Sequence, residues 1–214
     1  MSEELNKFII NFEKAQKEWS PSGDQDELFK KLSKLKKESP EAFLGAMELF
    51  IENAKKGDSS KCYFITVIHD RVRDVEQFFY WINLAADNGH VGAQEKLGGA
   101  YLVGQNVDKD IDTSIYWLKK AGEQGSLNAQ NNLSSIFYSG QLMPKNPEKA
   151  IYWTRKSANQ GSASHQYILA HMYWTADGTN QSKKDAAYWA NLARQKGHNK
   201  AEEMWNILEL WKYQ

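Results

Sequence analysis

The sequence predicts an all-α chain built as a stack of antiparallel helix pairs. Two recurrences carry this reading. Tyr80-Trp81, Tyr116-Trp117, Tyr152-Trp153 and Tyr188-Trp189 follow one another at 36 residues. A fixed period of that size marks stacked supersecondary units. With 8 Trp in 214 residues, three further hits at one spacing would arise by chance about once in 20,000 trials, so coincidence is set aside. Gly89, Gly125, Gly161 and Gly197 keep the same period, each eight residues after its Trp.

Each unit reads as two helices. In the second, Ile115, Leu118, Ala121 and Gly122 follow a 3,4 rhythm with Trp117, as Ile151 and Ala158 do with Trp153, and Ala186, Leu192 and Ala193 with Trp189. That is amphipathic helix spacing. The glycines end these helices, because the residue after the helix takes a positive φ that only glycine adopts without a Cβ clash. Pro147 suits a first helical turn after Asn146 as cap. The first helix of each unit follows the glycine. Ala93, Leu97, Gly98 and Tyr101 recur as Ala129, Leu133, Ser134 and Phe137, and in part as Leu169, Ala170 and Tyr173. Small residues at 98, 134 and 170 let two helices approach closely.

A degenerate unit precedes these. Gly57 stands 32 residues before Gly89, so the loop inside that unit is about four residues shorter. Helices are expected over 4–18, 26–37 and 40–56, with Ser20-Pro21-Ser22-Gly23-Asp24 as the one clear linker. A lone helix over 199–213, with Trp205 in the Leu97 slot, closes the stack. The organisation is therefore residues 1–40 as an N-terminal helical extension, 41–198 as repeats (degenerate to about 88, clear over 89–197), and 199–214 as a C-terminal cap. About twelve helices and no sheet are expected.

Composition narrows the function. The apolar fraction is 41%, enough for a core, so disorder is disfavoured. Lys+Arg and Asp+Glu are both 27. A duplex-binding protein would carry a basic excess, so nucleic acid is disfavoured. The first sixteen residues are charged every few positions, unlike a secretory signal or a membrane span. The single cysteine, Cys62, forbids an internal disulfide. A reducing cytoplasm is the expected location.

The unit Ala93, Leu97, Gly98, Tyr101, Gly104, Val107, Asp110, then Tyr116-Trp117, Lys119-Lys120-Ala121 and Gly125, resembles the Sel-one-like repeat, the cousin of the tetratricopeptide repeat. The likeness is strong over 89–197 and weak over 57–88. It implies a right-handed α-solenoid that binds other proteins without enzymatic activity. His165 departs from it, standing where Ala93 and Ala129 stand, and implies a re-registered or spread helix pair. Residues 140–144 and 176–180 replace the loop at 104–108.

Chemistry is sparse. Five histidines, His69, His90, His165, His171 and His198, show no metal-binding pattern; Cys62 and His69, seven apart, make at most a two-ligand site. Gly98-Gly99 lies inside a helix and is no phosphate loop. No catalytic residue, cofactor or metal is assigned. The resemblance implies that first helices line a concave face. The partner-binding candidates there are Tyr63, Arg71, Glu95, Asn131, Tyr138, Tyr167, His171 and Trp174. Aromatic side chains among Asn and Ser suit a protein interface. The expected function is a non-enzymatic adaptor or scaffold holding a protein or peptide. The alternatives are a dedicated inhibitor, such as an immunity protein neutralising a cognate toxin, and an enzyme with a cryptic metal site.

Overall fold

The computed structural model describes residues 3–18, 25–71 and 73–213. The expected linker at Ser20 to Asp24 lies outside them. The described residues form twelve α-helices and no strand. They are α1 (Glu3–Glu18), α2 (Gln25–Glu38), α3 (Pro40–Lys55), α4 (Ser59–Arg71), α5 (Val75–Asp87), α6 (Val91–Val103), α7 (Ile111–Glu123), α8 (Leu127–Ser139), α9 (Pro147–Asn159), α10 (Ala163–Thr175), α11 (Lys183–Gln195) and α12 (Asn199–Ile207). The chain divides into two compact halves, Met1–Lys109 and Asp110–Gln214, with the boundary inside the repeats at the start of α7.

In the N-terminal half, α4 packs on α5, α5 on α6, α2 on α3 and α3 on α4; α1 folds back onto α3 and α4. In the C-terminal half, each of α7 to α12 packs on its neighbour in sequence, and the chain beyond α12 continues into a short 3-10 turn at Leu210–Tyr213 that packs on both α11 and α12. Neighbouring helices thus pack in pairs, and the short connections between them make each pair antiparallel.

The helix ends repeat as strictly as the tryptophans. Gly57, Gly89, Gly125, Gly161 and Gly197 all adopt positive φ, as helix termination there requires. The next residue caps the following helix. Asp58 Oδ1 accepts from Lys61 N–H, His90 Nδ1 from Ala93, Ser126 Oγ from Ala129 and His198 Nδ1 from Ala201. Second helices start on Asp74, Asp110, Asn146 and Ser182, each accepting amides of its own first turn. Each cap satisfies amides that have no partner within the helix.

A buried polar ladder joins successive units. Gln94, Gln130 and Gln166 donate to the carbonyls of Ala86, Gly122 and Ala158, eight residues back, at 2.9, 2.8 and 3.1 Å. Each bond occupies a carbonyl near the end of the preceding helix. In the degenerate unit Cys62 takes this slot, and its thiol donates to Ala54 O at 3.1 Å.

Three findings refine the sequence reading. His165 causes no change of register, since α10 keeps the bounds of α6 and α8 at 36-residue offsets. Instead its Nδ1 lies 3.0 Å from Ser162 Oγ, and Ser162 makes no cap bond. The α4–α5 connection is three residues against seven in the later units, with Arg73 at φ 58. The last helix stops at Ile207. Glu209 takes φ 48, and the chain turns so that Leu210 is fully buried.

Candidate partner-binding face

The recurring tryptophans are core. Trp81, Trp117 and Trp153 are 1%, 7% and 3% exposed, and Trp189, on the last complete pair, is half-buried. Their tyrosine neighbours lie outward at about half exposure, each ring edge-on to its Trp. That follows from the 100° turn per residue of a helix.

In the N-terminal half, Tyr63 stacks on His90 with centroids 4.1 Å apart and planes 19° apart. A Cβ on Gly92 would come 3.3 Å from the Tyr63 ring, so glycine there lets the ring lie close. Burial raises the Tyr63 hydroxyl pKa, and the carboxylates of Glu95 and Asp70 add to the shift. Glu95 and Arg71 are half-buried, and Asp70 pairs with Lys96.

In the C-terminal half, Tyr138, Tyr167, His171 and Trp174 are all half-buried on α8 and α10. The Tyr138 hydroxyl lies 3.5 Å from His171 Nδ1, and Lys145 Nζ sits 5.4 Å from the Tyr138 ring centre. Burial raises the Tyr138 hydroxyl pKa, with Asp177 adding to it. Asn131 accepts a 2.5 Å hydrogen bond from Ser157, so its side chain serves the α8–α9 contact. Tyr167 stacks on His198, and Trp174 packs edge-on to Tyr213 beneath Lys183. Both belong to the shell around a closing cluster of Ala170, Ala187, Ala190, Met204, Trp205 and Leu210. Of the four aromatic candidates on α8 and α10, Tyr138 and His171 therefore meet each other, while Tyr167 and Trp174 pack against the closing cluster.

The Cys62–His69 pair does not form a site. Cys62 is bonded to Ala54 O, and burial pushes its thiol up to about 11. His69 instead meets Asn11 and Asp74. Among the described residues, no group of three His, Cys, Asp or Glu side chains is placed to hold a metal ion. No described helix is long and apolar enough to cross a membrane. Sequence reasoning missed the glutamine ladder, which recurs at the unit period and which a search of polar positions would have found, and the capping histidines, which share their slot with Ser126 and Ser162.

Comparison with known proteins matches this geometry to one family. The Sel1 repeat pattern matches residues 73–90, 91–126, 127–162 and 165–198. No curated protein matches the chain. Among solved structures, a protective antigen of uropathogenic Escherichia coli strains with an SLR fold is similar at 25% identity and TM-score 0.62, over 72% of this chain and 34% of that one. A Sel1 repeat protein from Oxalobacter formigenes is similar at 24% identity and TM-score 0.64, over 91% of this chain and 53% of that one. The chain thus spans about a third and about half the length of these two proteins. Sel1 repeat proteins are in general non-enzymatic helical-repeat proteins of protein–protein interaction. With the repeat pattern over more than half of its residues and helix pairs at the matching 36-residue offsets, this chain belongs to the Sel1 repeat family.

Proposed function

We propose that the chain is a non-enzymatic adaptor that holds a protein or peptide partner on the first-helix face of its C-terminal half. The observation that carries this is the Tyr138–His171 pair, half-buried and 3.5 Å apart on adjacent first helices. The equivalent slots of the other units hold other residue types, so the shared fold does not demand this pair. Aromatic side chains give much contact area for little lost rotamer freedom, and a few such anchors dominate an interface. A cytoplasmic setting is part of the reading, in keeping with the buried free thiol of Cys62. A dedicated inhibitor, such as an immunity protein, would use the same face. A toxin gene beside this one would mark that case.

The test is capture of partners from the source organism on the immobilised chain, identification by mass spectrometry, and affinity measurement with variants. Tyr138→Ala and His171→Ala should each weaken the captured partner by about tenfold or more, as expected for interface anchors. Trp174→Ala is a poorer probe, because Trp174 also packs on Tyr213. Unchanged affinity in both folded variants rejects the face.

A further inference from the structure

The N-terminal half holds a cluster that the repeat pattern does not account for. His69 stands in the slot that is aromatic in the later units, at Tyr101, Phe137 and Tyr173. It is 2% exposed. Two features bring polar groups to it. The short α4–α5 turn leaves Asp74 close by, with Oδ2 3.5 Å from His69 Nδ1. Helix α1, which folds back onto α4, adds Asn11 and Lys7. Asn11 Nδ2 lies 3.2 Å from Asp74 Oδ2 and 3.2 Å from His69 Nδ1, and Lys7 Nζ lies 3.5 Å from the same carboxylate oxygen.

The nearer of the two contacts at Nδ1, Asn11 at 3.2 Å against Asp74 at 3.5 Å, favours one state of the neutral ring. A carboxylate only accepts, so the Asn11 amide must turn its NH2 toward Asp74. The second hydrogen of that NH2 then serves Nδ1 in its unprotonated form. The ring proton is left on Nε2, for which no described residue supplies a partner. The ring borders a cavity of about 370 Å³ whose apolar walls include Phe8, Ile51, Ile65 and Trp81. That volume falls within the range of small-molecule sites. Lys7, Glu3 and Gln77 stand among its other lining residues, with Tyr80 about half exposed.

We propose that this cavity binds a small neutral molecule with an apolar or aromatic body and a carbonyl oxygen, which accepts the hydrogen bond of His69 Nε2–H. At His69 an amine presents a donor to a donor, so it gains no bond there and is disfavoured. A carboxylate meets Glu3 in the lining, and Lys7, the one cation there, already pairs with Asp74 behind the His69 ring, so this anion is disfavoured. The site is distinct from the first-helix face of the C-terminal half.

Nuclear magnetic resonance of the full chain at pH 7.5 tests this with three probes: phenylacetamide, phenylacetate and phenethylamine. Phenylacetamide should shift the Trp81 indole and His69 ring signals saturably, at millimolar affinity fitting so small a ligand. Phenylacetate and phenethylamine should both bind more weakly. His69→Phe, which supplies the aromatic of the equivalent slots, should weaken phenylacetamide by about tenfold, the effect of losing one buried hydrogen bond. Should that variant fail to fold, Tyr80→Ala alters only the half-exposed lining and should weaken the probe about threefold. Absence of saturable shifts with phenylacetamide, equal binding of phenethylamine, tighter binding of phenylacetate, or undiminished binding by a folded His69→Phe each overturns the proposal.

Discussion

At the residue scale, the close approach of Trp153 and Gly122 shows how the repeat is held together. A Cβ built on Gly122 would lie 2.9 Å from Trp153 Cζ3 and 3.4 Å from Leu133 Cδ1. Two effects oppose each other in Gly122→Ala. Helix propensity favours alanine by up to about 1 kcal/mol. Overpacking a fixed core costs about 1–3 kcal/mol. The Trp153 ring is 3% exposed and has little room to yield, so the clash wins and a net loss of about 1 kcal/mol is expected in urea melts. A stabilised variant would show that the ring can move. Trp153→Ala should cost about 3–5 kcal/mol, as for truncation of a large buried aromatic. Trp189→Ala should cost less, because Trp189 is only half-buried. Gln130→Met should cost about 0.5–1.5 kcal/mol in the same melts, since Gly122 O keeps the Gly125 amide and loses only the Gln130 bond, while Gln160 loses an acceptor.

At the element scale, each second helix of a pair has a glycine after its last turn and a side-chain cap before its first. Ser126 is the cap of α8, and its hydroxyl accepts from Ala129 at 3.1 Å. Ser126→Ala should lower stability by about 1 kcal/mol, the usual worth of a cap, in denaturant titration. A change under about 0.3 kcal/mol would mean that water replaces the hydroxyl there. The elements were legible in sequence because every unit must bury the same interface, so Trp117 and Trp153, or Leu97 and Leu133, recur at one spacing. His90 and His198 were not read as caps, since histidine is an unusual choice, yet they occupy the slot of Ser126 and Ser162. The break at Glu209 and the return of α1 onto α4 were not legible, because each happens once and is decided by tertiary packing. The face was legible only as a set of slots. Whether Tyr138 meets His171, or Asn131 turns to Ser157, depends on distances between helices that periodicity does not carry.

At the scale of the whole molecule, Lys+Arg and Asp+Glu balance at 27 each, so near neutrality net-charge repulsion contributes little to pH dependence. The buried histidines decide it instead. Burial lowers the pKa of His69, His90 and His165 from the ordinary 6.5. Asp74 opposes the shift at His69, and Lys7 adds to it. Partial burial raises the Asp74 carboxyl, but the Gln77 amide, His69, Lys7 and Asn11 outweigh it and hold that carboxyl below its usual value. For a group depressed in the folded state, the unfolded chain takes up the proton first. The histidine contribution is therefore complete above 6.5 and is lost as pH falls from there toward the folded-state values. Carboxylates such as Asp58, Asp74 and Glu123, also held low, begin to cost stability only below their ordinary 3.8 to 4.5. Acidification from about pH 7.5 to about 5 should thus lower the melting temperature through the histidines alone. Protonation of His90 would also remove the acceptor that caps α6. Calorimetry across that range should give a falling melting temperature, with a shallower slope in His69→Phe. A flat profile in the unmodified chain would mean that these imidazoles protonate freely in the folded state, and that neither the cap at His90 nor the neutral ring at His69 is as described.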